Sequence, residues 1–162
     1  MDRHASNRII EKLQMEPLPG EGGLYRQTYR TQQATAILYM LEGDSFSHFH
    51  RLVHDEIYHF YLGDPVCLWE LLPDGSIRET ILGGDVCGGQ EVQHIVRAGT
   101  WQGSCRLASF AGEESGDSFG YALLGTTMSP PYRQEEYEHG DRKALLAAYP
   151  DAGAAVLRLT NP

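Results

Sequence analysis

Short strand-like runs closed by turn residues constrain this chain more than any other feature. They fall at residues 24–30, 35–41, 45–52, 56–62, 66–72, 77–82, 91–97, 104–111 and 119–126. Between them stand Gly43-Asp44, Gly63-Asp64-Pro65, Pro73-Asp74-Gly75, Gly83-Gly84-Asp85, Gly88-Gly89 and the stretch Gly112 to Gly116. Each supplies the positive-φ or fixed-φ residues that tight turns require. Eighteen glycines spread over so many short strands predict an antiparallel sandwich or barrel, of which the jelly roll is one form. Helices are expected only near the ends. Residues 6–15 carry the stripe Ile9, Ile10 and Leu13 behind a Ser6 cap, and Pro17, Pro19 and Gly20 stop the helix. Asp141 can cap a second helix over 142–148, with Leu145, Leu146 and Tyr149 on its apolar side and Pro150 beyond it.

One domain, 1–162, is expected: this length with 41% hydrophobic residues suffices for one substantial core, and no linker, repeat or low-complexity tract interrupts it. The net charge of −9 argues against nucleic acid as a partner, because phosphate backbones need a basic face. Cys67, Cys87 and Cys105 lack zinc spacing. Cys67 and Cys105 lie in apolar runs and read as buried small hydrophobes, so a reduced, cytoplasmic setting is expected. No signal-type apolar core opens the chain and no run is long enough to cross a bilayer, so no membrane partner is expected. No Cys-x-x-Cys, dinucleotide fingerprint, P-loop or legible Ser/His/Asp triad is present.

The chemistry concentrates in residues 43–63. His48 and His50 are two apart, which on a regular strand puts them on one face; Glu56, Tyr58 and Phe60 share a face of the next run. A short turn through His54 and Asp55 would bring His50 and Glu56 together, a pair that can hold a metal or move a proton. His59 alternates away from Glu56. Arg26 and Arg30 share a face of run 24–30, with Tyr25 and Tyr29 on the other.

These residues carry a family resemblance. Gly43, four residues, His48-x-His50, five residues, Glu56, six residues, Gly63 resembles the first cupin motif, whose first two spacings are five and three or four. The second cupin motif is expected over Gly89 to Gln102; its proline is absent beside Ala98-Gly99, and Gln102 stands where its histidine belongs. Glu21 to Arg30, His59 to Pro65, Leu72 to Ser76 and Gly140 to Leu146 resemble a family of small single-domain cupins labelled predicted sugar epimerases, similar to dTDP-sugar 3,5-epimerases. The resemblance spans roughly residues 8–160. It implies an all-β, cupin-type antiparallel jelly-roll barrel with short terminal helices, pairing as a homodimer.

It also implies a cavity for a small polar ligand, a sugar phosphate or nucleotide sugar, with isomerase or epimerase chemistry by proton abstraction. The alternatives are a non-catalytic binding module and a metal-dependent dioxygenase. His50 is the candidate base, Glu56 its partner or substitute, and Tyr58 or Tyr121 the group that returns the proton. Arg26, Trp101 and Gln102 are candidate substrate-binding residues. His48, His50, Glu56 and Gln102 are the candidate ligands of a divalent metal ion.

Overall fold

The computed structural model describes residues 3–112 and 118–161. The expected turn at Gly112 to Gly116 therefore lies, past Gly112, outside the described residues, as do Met1, Asp2 and Pro162. Alternating apolar and polar side chains along short strands build two antiparallel sheets packed face to face. The strands are β1 (Glu16–Pro17), β2 (Leu24–Arg30), β3 (Thr35–Glu42), β4 (Phe46–Leu52), β5 (Glu56–Gly63), β6 (Val66–Leu71), β7 (Ile77–Leu82), β8 (Gln93–Val96), β9 (Trp101–Arg106), β10 (Tyr121–Met128) and β11 (Tyr137–His139). One sheet has the order β1-β2-β3-β10-β5-β8, the other β11-β4-β9-β6-β7. Neighbours distant in sequence, such as β3–β10 and β4–β9, give the jelly-roll connectivity that the turn spacing predicts.

Three apolar layers follow from strand parity. Tyr39, Leu41, Tyr58, Val66, Leu68, Leu82, Val96, Ala122 and Leu124 fill the space between the sheets. Helix α1 (Arg3–Leu13) lays Ile9, Ile10 and Leu13 over Met40, Tyr121 and Leu123 on the outer face of the six-stranded sheet. Helices α3 (Arg142–Ala148) and α4 (Gly153–Arg158) cover Phe49, Leu71 and Cys105 on the outer face of the other. Asp141 caps α3 as the sequence predicts, its Oδ1 accepting from the Ala144 N–H at 2.8 Å. Ser6 lies inside α1 rather than ahead of it. The run expected as a strand over 104–111 instead splits at Arg106, where β9 passes into the short helix α2 (Leu107–Ala111). No helix among the described residues is long and apolar enough to cross a membrane.

A buried ion pair ties one end of the sandwich. Arg106, fully buried, donates from Nη1 to Asp64 Oδ2 at 2.7 Å and from Nε and Nη2 to the Gly43 carbonyl. Asp64 also accepts from the Ser118 hydroxyl and the N–H groups of Phe119 and Gly120. Burial alone would raise its pKa; these donors together hold it below the usual carboxylate range.

Candidate functional site

Toward one end of the sandwich the inner faces separate around a cavity of about 350 Å³. Strands β4 and β5 reach it from different sheets, joined only by Val53, His54 and Asp55. His50 therefore faces Glu56 across the sandwich, as the short turn between the two runs predicts. Tyr58 lies two residues beyond Glu56 on the same inner face, 2% exposed, with Thr126 of β10 beside it.

His48 does not join them. The pairing of β4 with β9 slips between Ser47 and His50, a bulge that inserts a residue and reverses the alternation. His48 consequently turns to the outer side. Its Nδ1–H donates to the Phe49 carbonyl at 2.9 Å, its Nε2 accepts the Asn161 N–H at 3.1 Å, and its ring stacks on His139 at 3.7 Å. Burial lowers its pKa, in keeping with a neutral imidazole whose two nitrogens are both engaged.

His50 is held differently. Its Nδ1–H donates to the His48 carbonyl at 2.8 Å, and its ring stacks on Tyr137 at 5.2 Å. That bond fixes the tautomer and leaves Nε2 as the lone-pair nitrogen. No described protein group bonds Nε2, although His50 is 98% buried, its exposure being 2%. Glu56 Oε2 accepts from Gln102 Nε2 at 2.8 Å across the two sheets. Burial pushes the Glu56 pKa up, and neighbouring His50 pulls the other way without reversing the shift. Gln102 is buried beside His50 on β9, its Oε1 without a partner. Burial also holds the Tyr58 phenol well above its ordinary pKa.

The expected metal set is thus not assembled. With His48 turned away, only His50 and Glu56 of it line the cavity, and Gln102 is committed to Glu56 through its amide nitrogen. Among the described residues, no group of three His, Cys, Asp or Glu side chains is placed to hold a metal ion.

Three further expectations change for reasons of parity. Tyr121 falls on the outer face under α1 with Met40 and Leu123, because Ala122, Leu124 and Thr126 are the inward residues of β10. Trp101 also points outward, beneath the Arg51 guanidinium at 4.6 Å, while its neighbour Gln102 points in. Arg26 pairs with outward Leu38 and is exposed. A bulge between Gln27 and Tyr29 then reverses β2, so Arg30, not Arg26, reaches the cavity. His59 faces outward as expected, bonded to Thr127 Oγ1 at 3.1 Å.

Several lining residues come from segments that sequence spacing does not connect to the motif. Glu21 comes from the turn before β2, Tyr25 and Tyr39 from the β2–β3 pair, and Tyr132 and Tyr137 from the chain after β10. The turn bearing Glu21 is drawn against the barrel by the His48 N–H, which donates to the Glu21 carbonyl at 2.7 Å. Tyr39 donates its hydroxyl to the Gly22 carbonyl. At Gly23, with φ +71°, a Cβ would lie 2.6 Å from that hydroxyl, so the approach requires glycine. The Glu21-Gly22-Gly23 triplet was the available signal.

A jelly roll with a polar cavity between its sheets, entered by a His and a Glu from adjacent crossing strands, is the architecture of a cupin. The family model described as "Cupin superfamily (DUF985)" matches residues 7–140, and the chain belongs to that family. A crystal structure of a protein from Shewanella oneidensis is 30% identical, with a TM-score of 0.85 over 97% of this chain and 98% of that one. A hypothetical protein from Leishmania major is 26% identical, with a TM-score of 0.87 over 97% and 99%. Oxalate decarboxylase from Bacillus subtilis, 14% identical with a TM-score of 0.57 over 86% of this chain and 33% of that one, shares the fold alone. No curated protein matches the sequence.

Proposed function

We propose that the cavity binds a small hydroxylated carbonyl compound of the sugar class and moves a proton on it, as an isomerase or epimerase. The observation that carries this reading is His50: buried, locked through Nδ1, and presenting an unpartnered Nε2 to a cavity that also contains Glu56. Two titratable groups whose environments differ in this way divide the roles of base and acid. Nε2 takes the proton from the carbon next to the carbonyl. Glu56, whose burial favours the neutral acid, gives its proton to the carbonyl oxygen, and an enediol results. Return of the proton from His50 to the former carbonyl carbon, as the hydroxyl on the original carbon passes its proton to the Glu56 carboxylate, isomerises the compound; epimerisation needs a second donor on the opposite face of the enediol, with Glu56 taking its proton back from the former carbonyl oxygen.

Tyr58 suits hydrogen-bond donation better than proton transfer, because burial opposes formation of its anion. The anionic part of a phosphorylated or nucleotide-linked sugar would have to sit at the rim, where Arg30 is the one Lys or Arg side chain of the lining.

The test is deuterium incorporation from solvent into candidate ketoses and aldoses, followed by NMR. Exchange at the carbon next to the carbonyl, lost by about 10²–10⁴ in His50→Ala, is expected. Ligand binding without exchange would move the protein to the non-catalytic binding class.

A further inference from the structure

The charge on the cavity wall narrows the ligand, granted the reading of the cavity as a binding and proton-transfer site. Glu21 Oε1 accepts the Ser47 hydroxyl at 2.8 Å. No basic group among the described residues pairs with the Glu21 carboxylate, whereas Glu56 bonds the Gln102 amide and has His50 as its neighbour. The five tyrosines of the lining, Tyr25, Tyr39, Tyr58, Tyr132 and Tyr137, bring aromatic rings and no charge.

Arg30 does not offset this. It pairs with Thr35, whereas Tyr25 at the Glu21 end pairs with Tyr39, four residues along β3. At about 3.3 Å per residue that is about 13 Å of strand. The field agrees: Glu21 contributes to raising Tyr39, Tyr58, Tyr137 and Tyr132, the last pushed up to about 12, chiefly by burial.

A buried His50 with a free Nε2 marks the same space as a place for a ligand. A cavity with an unpaired Glu21 carboxylate, aromatic walls and no Lys or Arg at its inner end disfavours an anion and favours a positive group, which both carboxylate and ring faces attract. We infer that the natural ligand carries a protonated amine, received by Glu21 among the tyrosines, and that it belongs to the amino-sugar class rather than the sugar phosphates.

Three probes of similar size decide this by isothermal titration at low salt: glucosamine, glucose and glucose 6-phosphate. Glucosamine is expected to bind about tenfold tighter than glucose, the size of one charge-assisted hydrogen bond, with glucose 6-phosphate weakest. Added salt should narrow the gap. Glu21→Gln should abolish the preference, so that the variant binds glucosamine no tighter than it binds glucose. Ser47→Ala, which frees Glu21 without removing its charge, should keep the wild-type order. Tightest binding of glucose 6-phosphate, equal binding of all three, or binding of none by the wild-type protein overturns the inference whatever the variants do. So does an amine preference that survives in folded Glu21→Gln. The two readings fail separately. His50-dependent exchange on neutral or phosphorylated sugars without amine preference would leave the proton-transfer proposal standing and remove this one. Glu21-dependent amine binding without exchange would do the reverse.

Discussion

Replacing His48 and His50 by alanine one at a time should separate two histidines that the His-x-His spacing makes look equivalent. In His48→Ala the Asn161 N–H loses its acceptor and the Phe49 carbonyl keeps only the Gly140 N–H. Two hydrogen bonds at about 1 kcal/mol each and a ring stack of about 0.5–1.5 kcal/mol give a loss of about 3 kcal/mol. For a chain of this size that lowers Tm by about 6–12 °C. His50→Ala gives up one bond to the His48 carbonyl and the Tyr137 stack, about 1.5–2.5 kcal/mol by the same counting. It also truncates into a space that is already open. Urea midpoints at constant m-value measure the two costs, and proton exchange on a turned-over ligand measures function. The expected pattern is crossed: His48→Ala unstable with near-normal exchange per folded molecule, His50→Ala more stable than His48→Ala yet inactive. A pH arm sharpens the test. Because the folded pKa of His48 lies below its ordinary 6.5, the unfolded chain binds the proton first as pH falls. Wild-type stability should therefore decline as pH drops from about 6.5, and His48→Ala should lose that part of the slope. Equal destabilisation by both substitutions, or a native-like His48→Ala without exchange, would show that the bulge does not divide their roles.

Asp64→Asn should cost about 1.5–3 kcal/mol in chemical denaturation, because it gives up the charge-assisted hydrogen bond that fully buried Arg106 donates to the Asp64 carboxylate; a cost below about 0.5 kcal/mol would refute that account. His94 bonds Glu70 at 2.8 Å and Glu91 at 2.7 Å, and the Glu70 bond, opposed by burial and aided by Glu91, raises its pKa. That stabilisation is complete below about pH 6.5 and fades as pH rises through the folded-state value, so Glu70→Gln should flatten the stability profile on the alkaline side of 6.5. Pairing of two 18.1 kDa chains is expected in sedimentation at micromolar concentration, and a monomer alone would contradict it.

The strands and turns were legible because period-two alternation and glycine or proline punctuation are local signals. Glu56, Tyr58 and Phe60 keep one face as expected, and His59 the other. Parity failed wherever one inserted residue reversed it. The bulge in β4 removed His48 from the cavity, and the bulge in β2 exchanged Arg26 for Arg30. Such a slip depends on how a strand registers with its neighbour, which no run of residues states by itself. On β10, inward Ala122 and Leu124 place Tyr121 outside, but only pairing with β3 and β5 settles which parity faces in. Tyr132 and Tyr137 were invisible for another reason: they lie far along the chain from the motif and meet it only when the sandwich closes.

His50 and Glu56 belong to opposite leaves of the sandwich, so the gap between them is not the property of either strand. It is a thickness, set by how Leu68, Leu124, Tyr39 and Val96 fill the layer below. A machinist would call the apolar layer a shim: trimming one side chain there, well away from any ligand, resets the clearance between two jaws. Activity in this protein should therefore track the compressibility of its middle as closely as the identity of its polar groups.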